Sequence, residues 1–306
     1  MTDRVAKADL HAATLNPVRW PPEFDPWVLR VRYADLADLD DGAMRVHYET
    51  YGRNEGRVAS RATLREDFIG LIPADAMMLE VGPFCDPTLR GPNIRYFDVL
   101  DTDALRARAV EIGRDIATVP AVIHYSPSLT AAADAGFDAL FSCHNIEHHP
   151  NLIGHLQEAA RVLHPGGEYM MVVPDRRYCF DHFLPDLTLQ DVLGAHVERR
   201  TRHTAADVIE HRAFTCHNDM LRHWQGDHGL APDGLDGRID YALKEIDEAQ
   251  GGYIDVHAWQ FTPSSFRVTM DDLYALGLSP FRVIRVYDTP YGRNEFTAVL
   301  TLQAPE

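Results

Sequence analysis

Basic residues are scarce in this chain of 306 residues: 29 lysines and arginines stand against 46 aspartates and glutamates, which gives a formal net charge of −17. A surface with this balance repels phosphate backbones, and no long run of lysine or arginine offers a local exception. Nucleic acid is therefore excluded as the expected substrate. A nucleotide-sized ligand held in a local pocket is still compatible with this charge.

Long apolar runs are also missing. No stretch approaches the roughly 20 residues that span a bilayer, and the N-terminus lacks the apolar segment of a secretory signal. We therefore expect no membrane partner and a cytoplasmic location. Cysteine is rare and never forms a C-x-x-C pair, which favours free thiols in a reducing compartment. The four cysteines are Cys85, Cys143, Cys179 and Cys216.

The stretch 77–86 organises the rest of the chain. It is a short apolar run that carries Glu80 near its end and then breaks at Gly82 and Pro83. An apolar run of this length indicates a strand buried on both faces of a parallel sheet. The turn that follows lies at the carboxyl end of the strand, where open α/β sheets bind their ligands.

Further strands and helices alternate along the chain, which is typical of a parallel sheet covered by helices on both faces. We predict an α/β, Rossmann-like, doubly wound and mostly parallel seven-stranded sheet whose last strand is antiparallel. The predicted strands are 77–81, 93–98, 121–125, 137–142, 169–174, 281–287 and 296–302. The helices between them are predicted at 102–113, at 151–163, where residues 165–167 stop the helix, and at 264–276.

Three changes in pattern divide the chain. Residues 1–58, rich in proline and aromatic residues, form an N-terminal extension that we expect to drape over the core and to be a candidate homodimer contact. Residues 59–175 and 261–306 form the core. Residues 176–260 form a helical cap, and we expect its flexible loop at 226–237 to order as a lid when ligand binds.

Four pieces of sequence carry a family resemblance: 79–83 (LEVGP), Asp98 at the end of the second strand, 137–148 (FDALFSCHNIEH) and 161–167 (RVLHPGG). Together they resemble the class I S-adenosylmethionine-dependent methyltransferase superfamily. The resemblance implies S-adenosylmethionine as cofactor and transfer of its methyl group. Residues 174–181 (PDRRYCFD) and 294–296 resemble a bacterial branch associated with sugar and surface-polysaccharide biosynthesis. O-methylation of a sugar, a glycan-related compound or another small-molecule acceptor is therefore implied.

The resemblance also implies a set of cofactor contacts. Glu80 and Asp98 end successive strands on one edge of the sheet, and a carboxylate that accepts two hydroxyl hydrogen bonds suits a ribose diol. The alternative for Asp98 is a cap on the helix beyond it. The implied cofactor-binding residues are Glu80, Gly82, Pro83, Phe84, Asp98, Val99, Ser126, Cys143 and His144.

Catalysis of methyl transfer requires alignment of the nucleophile and exclusion of water, because the cofactor brings its own leaving group. A hydroxyl acceptor benefits from a base of near-neutral pKa, and histidine supplies one. His144 is the first candidate for the base and His148 the second. Asp175 is a candidate for orienting the acceptor or a catalytic histidine. The alternative for His148 is a bond to backbone at a helix start.

Residues 144–148 (HNIEH) contain a possible metal-binding pattern. This pattern also occurs in zinc peptidases, but there both histidines lie on a continuous helix, whereas His144 falls in a predicted loop. Some quinone-pathway O-methyltransferases hold a divalent metal with E-x-x-E-H. His144 replaces the first glutamate of that pattern, and imidazole is a softer ligand, which disfavours Mg²⁺.

Two further groups of residues have alternative interpretations. The histidines between His182 and His228 match no compact ligand spacing, which favours scattered surface or hydrogen-bonding roles. Arg176 and Arg177 could meet an anionic sugar nucleotide or pair with nearby carboxylates.

A rival hypothesis is a non-catalytic S-adenosylmethionine-binding or scaffold protein that keeps the methyltransferase fold. Only Gly82 survives of the usual glycine-rich loop, and the acid expected after the third strand is replaced at 124–128 (HYSPS). These departures favour the rival. The retained Glu80, Asp98, Glu147 and His148 favour an enzyme.

Overall fold

Six strands form one sheet in the computed structural model, which describes residues 20–229 and 235–303. The strands lie in the order β2-β1-β3-β4-β6-β5. The pairs β1–β2, β1–β3 and β3–β4 are parallel, and β6 is antiparallel to both of its neighbours. The strands are β1 (Met78–Val81), β2 (Ile94–Phe97), β3 (Phe137–Cys143), β4 (Leu163–Pro174), β5 (Phe281–Tyr287) and β6 (Glu295–Leu302).

The predicted strand at 121–125 is not formed, so the described residues hold six strands rather than seven. Tyr125 makes a single parallel bridge to Phe97, and the backbone amide of His124 donates to the Tyr96 carbonyl at 2.9 Å. Pro120 and Pro127 flank the segment, and proline cannot donate to a strand ladder. Val122 is exposed, so its side chain adds no buried face that would hold a strand against β2.

Ten α-helices surround the sheet in the described part of the chain. They are α1 (Pro26–Arg32), α2 (Asp41–His47), α3 (Arg65–Ile69), α4 (Thr102–Glu111), α5 (Leu152–Val162), α6 (Leu189–Val197), α7 (Ala205–Phe214), α8 (Met220–Trp224), α9 (Leu235–Glu248) and α10 (Pro263–Ala275). None of the helices in these described ranges is both long enough and apolar enough to cross a membrane.

Helix α5 shows how the sequence pattern positions the elements beside the sheet. The side chain of Asn151 accepts a hydrogen bond from the Gly154 amide and so caps the first turn. Leu152, Leu156 and Ala159 recur at helical spacing and are fully buried. The helix ends at Val162 as predicted, but β4 begins at once. Residues 165–167, expected only to stop the helix, lie within β4.

Both faces of the sheet are buried because successive side chains of a strand point in opposite directions. On β1, Leu79 and Val81 pack in one apolar cluster, which includes the buried face of α5. Met78 packs in the cluster on the other face, with Phe141 of β3 and Trp20. Coverage of both faces fits a doubly wound sheet.

The described part of the N-terminal extension lies on this second face. Trp20 is buried, and its indole nitrogen donates to a Glu168 carboxylate oxygen at 3.0 Å. The Tyr287 hydroxyl donates to the Pro21 carbonyl at 2.8 Å. These contacts hold the segment against its own chain, and a homodimer contact through it stays a prediction.

Helices α6 to α9 lie within residues 176–260, the predicted cap. Trp224 fastens this region to the core: its ring stacks on Tyr178 with centroids 3.8 Å apart, and its Nε1 donates to the Arg293 carbonyl at 2.7 Å. Residues 230–234 of the predicted 226–237 loop lie outside the described residues. Closure of the cap as a lid stays a prediction.

Candidate functional site

Two loops meet at the carboxyl edge of the sheet, one after β1 and one after β3. Gly82 has a φ of 68°, which is the left-handed region that favours glycine. A Cβ built on Gly82 would lie 2.1 Å from Nδ2 of Asn145. The other side of that amide, Oδ1, lies 2.9 Å from Nε2 of His149. Gly82 is therefore needed both for the turn and for the close approach of the two loops.

Glu80 stabilises the first of these loops. Its two carboxylate oxygens accept hydrogen bonds from the backbone amides of Thr88 (2.7 Å) and Leu89 (2.9 Å). Burial raises the pKa of Glu80 to about 7, and the two amides counteract part of that rise. Glu80 therefore fixes the conformation of the loop, and its contact with the cofactor stays a prediction.

Asp98 follows β2 and reaches across the same edge. One of its oxygens accepts from the Leu100 amide at 3.0 Å, and the other lies 3.3 Å from the Phe84 amide. Burial raises the pKa of this carboxyl group. Asp98 does not cap the next helix, because the side chain of Asp101 caps α4 through the Ala104 amide. The helix-cap alternative for Asp98 is therefore wrong.

The remaining predicted cofactor residues are distributed along this edge. Pro83 is buried, whereas Phe84 is 40% exposed and has a φ of 45°. Val99 is exposed, and Ser126 lies one residue beyond the bridge between Phe97 and Tyr125. Burial raises the pKa of the Cys143 thiol to about 12, so this thiol is protonated at neutral pH.

His144, the first candidate for the base, is paired with a carboxylate. Its Nε2 lies 2.9 Å from Oε2 of Glu295, whose Oε1 accepts from Nε of Arg65 at 2.8 Å. Burial alone would raise the pKa of Glu295, but the hydrogen bonds from His144 and Arg65 lower it to about 2. Nε2 of His144 therefore faces Glu295, the first residue of β6.

Asp175 is enclosed by its own partners, and a role in orienting the acceptor or a catalytic histidine stays a prediction. It is fully buried, and its carboxylate accepts from Nε and a terminal nitrogen of Arg177, at 2.9 and 2.6 Å, and from the Thr289 hydroxyl at 2.6 Å. Arg176 pairs with Asp186 at 2.8 Å. Of the two interpretations of these arginines, the structure favours pairing with nearby carboxylates.

A buried polar group forms around Glu147, in the turn after β3. Nε2 of His148 lies 3.7 Å from Oε1 of Glu147, and Nε2 of His257 lies 3.8 Å from the same oxygen. The two imidazole rings are nearly perpendicular, with centroids 4.5 Å apart. We call Glu147, His148 and His257 the Glu147 cluster. Their ligand atoms lie within 4.8 Å of one another, a spacing that could hold a metal ion.

Each histidine of the Glu147 cluster is held by a second carboxylate. Nδ1 of His148 lies 2.9 Å from Asp255, and Nδ1 of His257 lies 2.6 Å from Asp181. Burial would lower the pKa of His148, but Asp255 and Glu147 raise it to about 9. A histidine with that pKa is protonated at neutral pH, which makes His148 a poor general base in this state.

Sequence reasoning missed His257, Asp181 and Asp255 as site residues. Asp181 is the last residue of the 174–181 stretch that resembles the bacterial branch, and that resemblance was its signal in the sequence. His257 lies 76 positions from Asp181, and Asp255 lies 107 positions from His148. No local periodicity reports contacts of that range.

A second group of histidines lies in the cap, where scattered histidines were expected. His182, His223 and His228 bring their ligand atoms within 4.8 Å of one another. The rings of His182 and His228 are stacked, with centroids 3.6 Å apart and an interplanar angle of 8°. The spacing along the chain thus failed to reveal a compact group.

Comparison with known proteins gives one family match. Residues 98–171 match the family model described as "Methyltransferase domain". The match runs from Asp98 through β3, the Glu147 turn and α5 into β4, and it supports the resemblance to class I S-adenosylmethionine-dependent methyltransferases. No curated protein matches the chain at a significant level.

Solved structures with a similar overall path include three methyltransferases. A SAM-dependent methyltransferase from Aquifex aeolicus is 11% identical, covers 86% of this chain and 100% of its own, and has a TM-score of 0.38. One from Methanosarcina mazei is 14% identical, with coverage of 79% and 100% and a TM-score of 0.37. The trans-methyltransferase CalH in complex with SAH is 11% identical, with coverage of 86% and 60% and a TM-score of 0.36.

The Gly82 approach gives a first prediction, with Gly113 as its matched control. Gly113 has a φ of 70° but nothing within 4 Å of a built Cβ, so Gly113→Ala should cost only the left-handed backbone, about 1–2 kcal/mol. Gly82→Ala should cost at least about 1 kcal/mol more, because the methyl group collides with Asn145. Urea unfolding of both variants measures this difference. Equal losses would contradict the close approach.

The Glu295 pairing gives a second prediction. The folded-state pKa of Glu295, about 2, lies below the ordinary glutamate value of 4.5. Its ion pairs therefore stabilise the fold fully above pH 4.5, and this contribution is lost as the pH falls through about 2. The difference in free energy of unfolding between the parent and Glu295→Gln should shrink over that window. Glu49→Gln, at an exposed position, should follow the parent. A pH-independent difference for Glu295→Gln would refute the pairing.

Proposed function

We propose that this chain is an S-adenosylmethionine-dependent methyltransferase that methylates a hydroxyl group of a sugar, a glycan-related compound or another small-molecule acceptor. The observation that carries the proposal is the position of Asp98. It lies within the stretch that matches the methyltransferase family model, and its carboxylate reaches across the sheet edge to the loop that begins at Gly82.

The residues of this edge fit the cofactor. Asp98 uses one hydrogen bond on each oxygen for backbone amides, and a carboxylate oxygen has a second lone pair for a ribose hydroxyl. Phe84, whose backbone amide lies 3.3 Å from the Asp98 carboxylate, and Val99, the residue after Asp98, have exposed side chains that offer apolar contact to an adenine ring. Glu80 stabilises the loop by accepting the two backbone hydrogen bonds. Ser126, Cys143 and His144 complete the proposed rim.

The acceptor is proposed to bind on the cap side of the same edge. Asp255 contacts the Glu147 cluster through His148. That cluster lies in the same turn after β3 as Asn145, whose side chain lies against Gly82 of the cofactor edge. This cluster is a polar group beside the cofactor edge and suited to a hydroxyl-bearing acceptor.

The chemistry requires alignment more than covalent participation of the protein. When bound, S-adenosylmethionine supplies an activated methyl group on sulfur and a good leaving group. The chain's own residues then have three tasks: Asp98 fixes the ribose, the Glu147 cluster places the acceptor oxygen in line, and the cap excludes water. Each task depends on positions already set by the fold.

The scaffold hypothesis remains the alternative function. The specific observation in its favour is the loop after β1, which keeps Gly82 but no further glycine of the usual pattern. The two functions differ in one outcome. A scaffold binds S-adenosylmethionine without producing methylated product from any hydroxyl acceptor, whereas an enzyme releases S-adenosylhomocysteine and a methylated compound that mass spectrometry detects.

The proposed cofactor site gives a third prediction. Asp98→Asn should weaken S-adenosylmethionine binding by about 1.5–3 kcal/mol, the range for a hydrogen bond to a charged group. The control is Asp101→Asn, which changes the α4 cap but not the edge, and it should bind like the parent. Calorimetry measures both affinities, and thermal unfolding without ligand confirms that both variants are folded. An unchanged affinity in Asp98→Asn would remove Asp98 from the site.

A further inference from the structure

The carboxylate of Glu147 is exceptional among the described acidic side chains near the site. It is fully buried, and neither of its oxygens has a hydrogen-bond partner. An ionised carboxylate in such a place is strongly unfavourable unless a cation or a donor compensates it. The nearest imidazole nitrogens, at 3.7 and 3.8 Å, are too distant for hydrogen bonds.

These distances suit atoms that share one metal ion. Metal bonds to histidine nitrogen and carboxylate oxygen are about 2.0–2.2 Å long, which separates neighbouring ligand atoms by roughly 3–3.5 Å. A small inward movement of His148 and His257 satisfies that geometry. Their nearly perpendicular rings allow the two nitrogen lone pairs to converge on one point.

Nδ1 of each histidine already makes the kind of hydrogen bond that orients metal-binding histidines. Asp255 accepts from Nδ1 of His148, and Asp181 accepts from Nδ1 of His257. Because each Nδ1 donates a hydrogen bond to a carboxylate, Nε2 is the ring nitrogen that faces Glu147. A metal ion that binds there displaces the proton that His148 carries on Nε2 in its absence. Carboxylate–histidine pairs of this kind orient the ligands of many metal sites and raise their basicity.

The histidine group in the cap, His182, His223 and His228, is less suited to bind a metal ion. His182 and His228 are stacked almost parallel, 3.6 Å apart. The in-plane lone pairs of stacked rings lie in two parallel planes, so they cannot both point directly at one ion. This group also lacks a carboxylate among the three residues whose ligand atoms converge.

We propose that Glu147, His148 and His257 bind one divalent first-row transition-metal ion. Two imidazoles and one carboxylate favour Zn²⁺, Co²⁺, Fe²⁺ or Mn²⁺ over Mg²⁺. The ligand set differs from the one suggested by residues 144–148 alone, because His144 is paired with Glu295 and the third ligand comes from the end of the cap.

The role of the ion follows from its open coordination positions and rests on the proposed function. Three protein ligands leave room for the acceptor hydroxyl, and coordination lowers the pKa of that hydroxyl. The hydroxyl proton leaves to solvent water as the acceptor coordinates, before the cap excludes water. The oxygen lone pair then forms the bond to the methyl carbon, while the carbon–sulfur bond breaks and its electron pair stays on sulfur.

The test begins with metal binding to the full chain, independent of activity. Chelator-treated protein is titrated with Zn²⁺ by calorimetry and with Co²⁺ by visible absorption. The parent should bind about one ion in this site. Glu147→Gln and His257→Ala should each weaken binding by at least about 100-fold, and Asp181→Asn, which changes only the orienting partner, by roughly 10–100-fold. Circular dichroism confirms the fold of each variant, and Asp181→Asn keeps the test decisive where Glu147→Gln does not fold.

The control variant is His228→Ala, in the competing histidine group. It should keep the parent's affinity. The proposal is overturned if the parent binds no ion, or if His228→Ala abolishes binding while Glu147→Gln preserves it.

A second measurement separates this proposal from the methyltransferase proposal. S-adenosylmethionine affinity is measured on the chelator-treated parent. Cofactor binding and undiminished methyl transfer without metal would overturn the metal's role and leave the enzyme proposal standing. Metal binding at Glu147 without any cofactor binding would do the reverse.

Discussion

The site depends on the hydrogen bonds that the backbone carbonyl of Glu147 accepts. It accepts hydrogen bonds from the amides of Ala258 (2.8 Å) and Trp259 (3.3 Å), and the Trp259 indole donates to the His149 carbonyl at 2.7 Å. These bonds fix the end of the cap against the turn after β3. Because parallel strands end at one edge of the sheet, the same turn also meets the loop after β1 at Gly82. Cofactor residues and cap residues are thereby brought to one place.

The buried carboxylates around Glu147 have cationic or hydrogen-bonding partners, with one exception. Asp175 pairs with Arg177, Glu295 bonds to Arg65 and His144, and Asp181 accepts a hydrogen bond from His257. A protein with a net charge of −17 thus buries carboxylates together with cations or hydrogen-bond donors, as the cost of desolvation requires. Glu147 has no such direct bond. The protonated His148 offers it a charge at 3.7 Å but no hydrogen bond, and a metal ion between it and the two imidazoles would bind it directly.

Much of the sheet could be predicted from the sequence, and the limits have physical causes. The strands near 77–81 and 137–142 and the helix at 151–163 are revealed by local apolar patterns, which depend on near neighbours along the chain. The segment 121–125 has strand-like residues, but its flanking prolines and exposed Val122 leave it with a single bridge to Phe97. Asp98 could be located because a strand's end is a local feature. The partners of His144, His148 and His257 could not, since each contact spans 76 or more positions.

The central claim is that one sheet edge holds the cofactor on the Asp98 side and a metal-bound acceptor on the Glu147 side. Crystals of the full chain grown with S-adenosylhomocysteine and Mn²⁺, measured at a wavelength where manganese scatters anomalously, test it most directly. The account predicts an anomalous peak enclosed by Glu147, His148 and His257, with the ribose hydroxyls on Asp98 and the ligand's sulfur facing the peak. A ligand bound away from Asp98, or a peak elsewhere with none at Glu147, would contradict it.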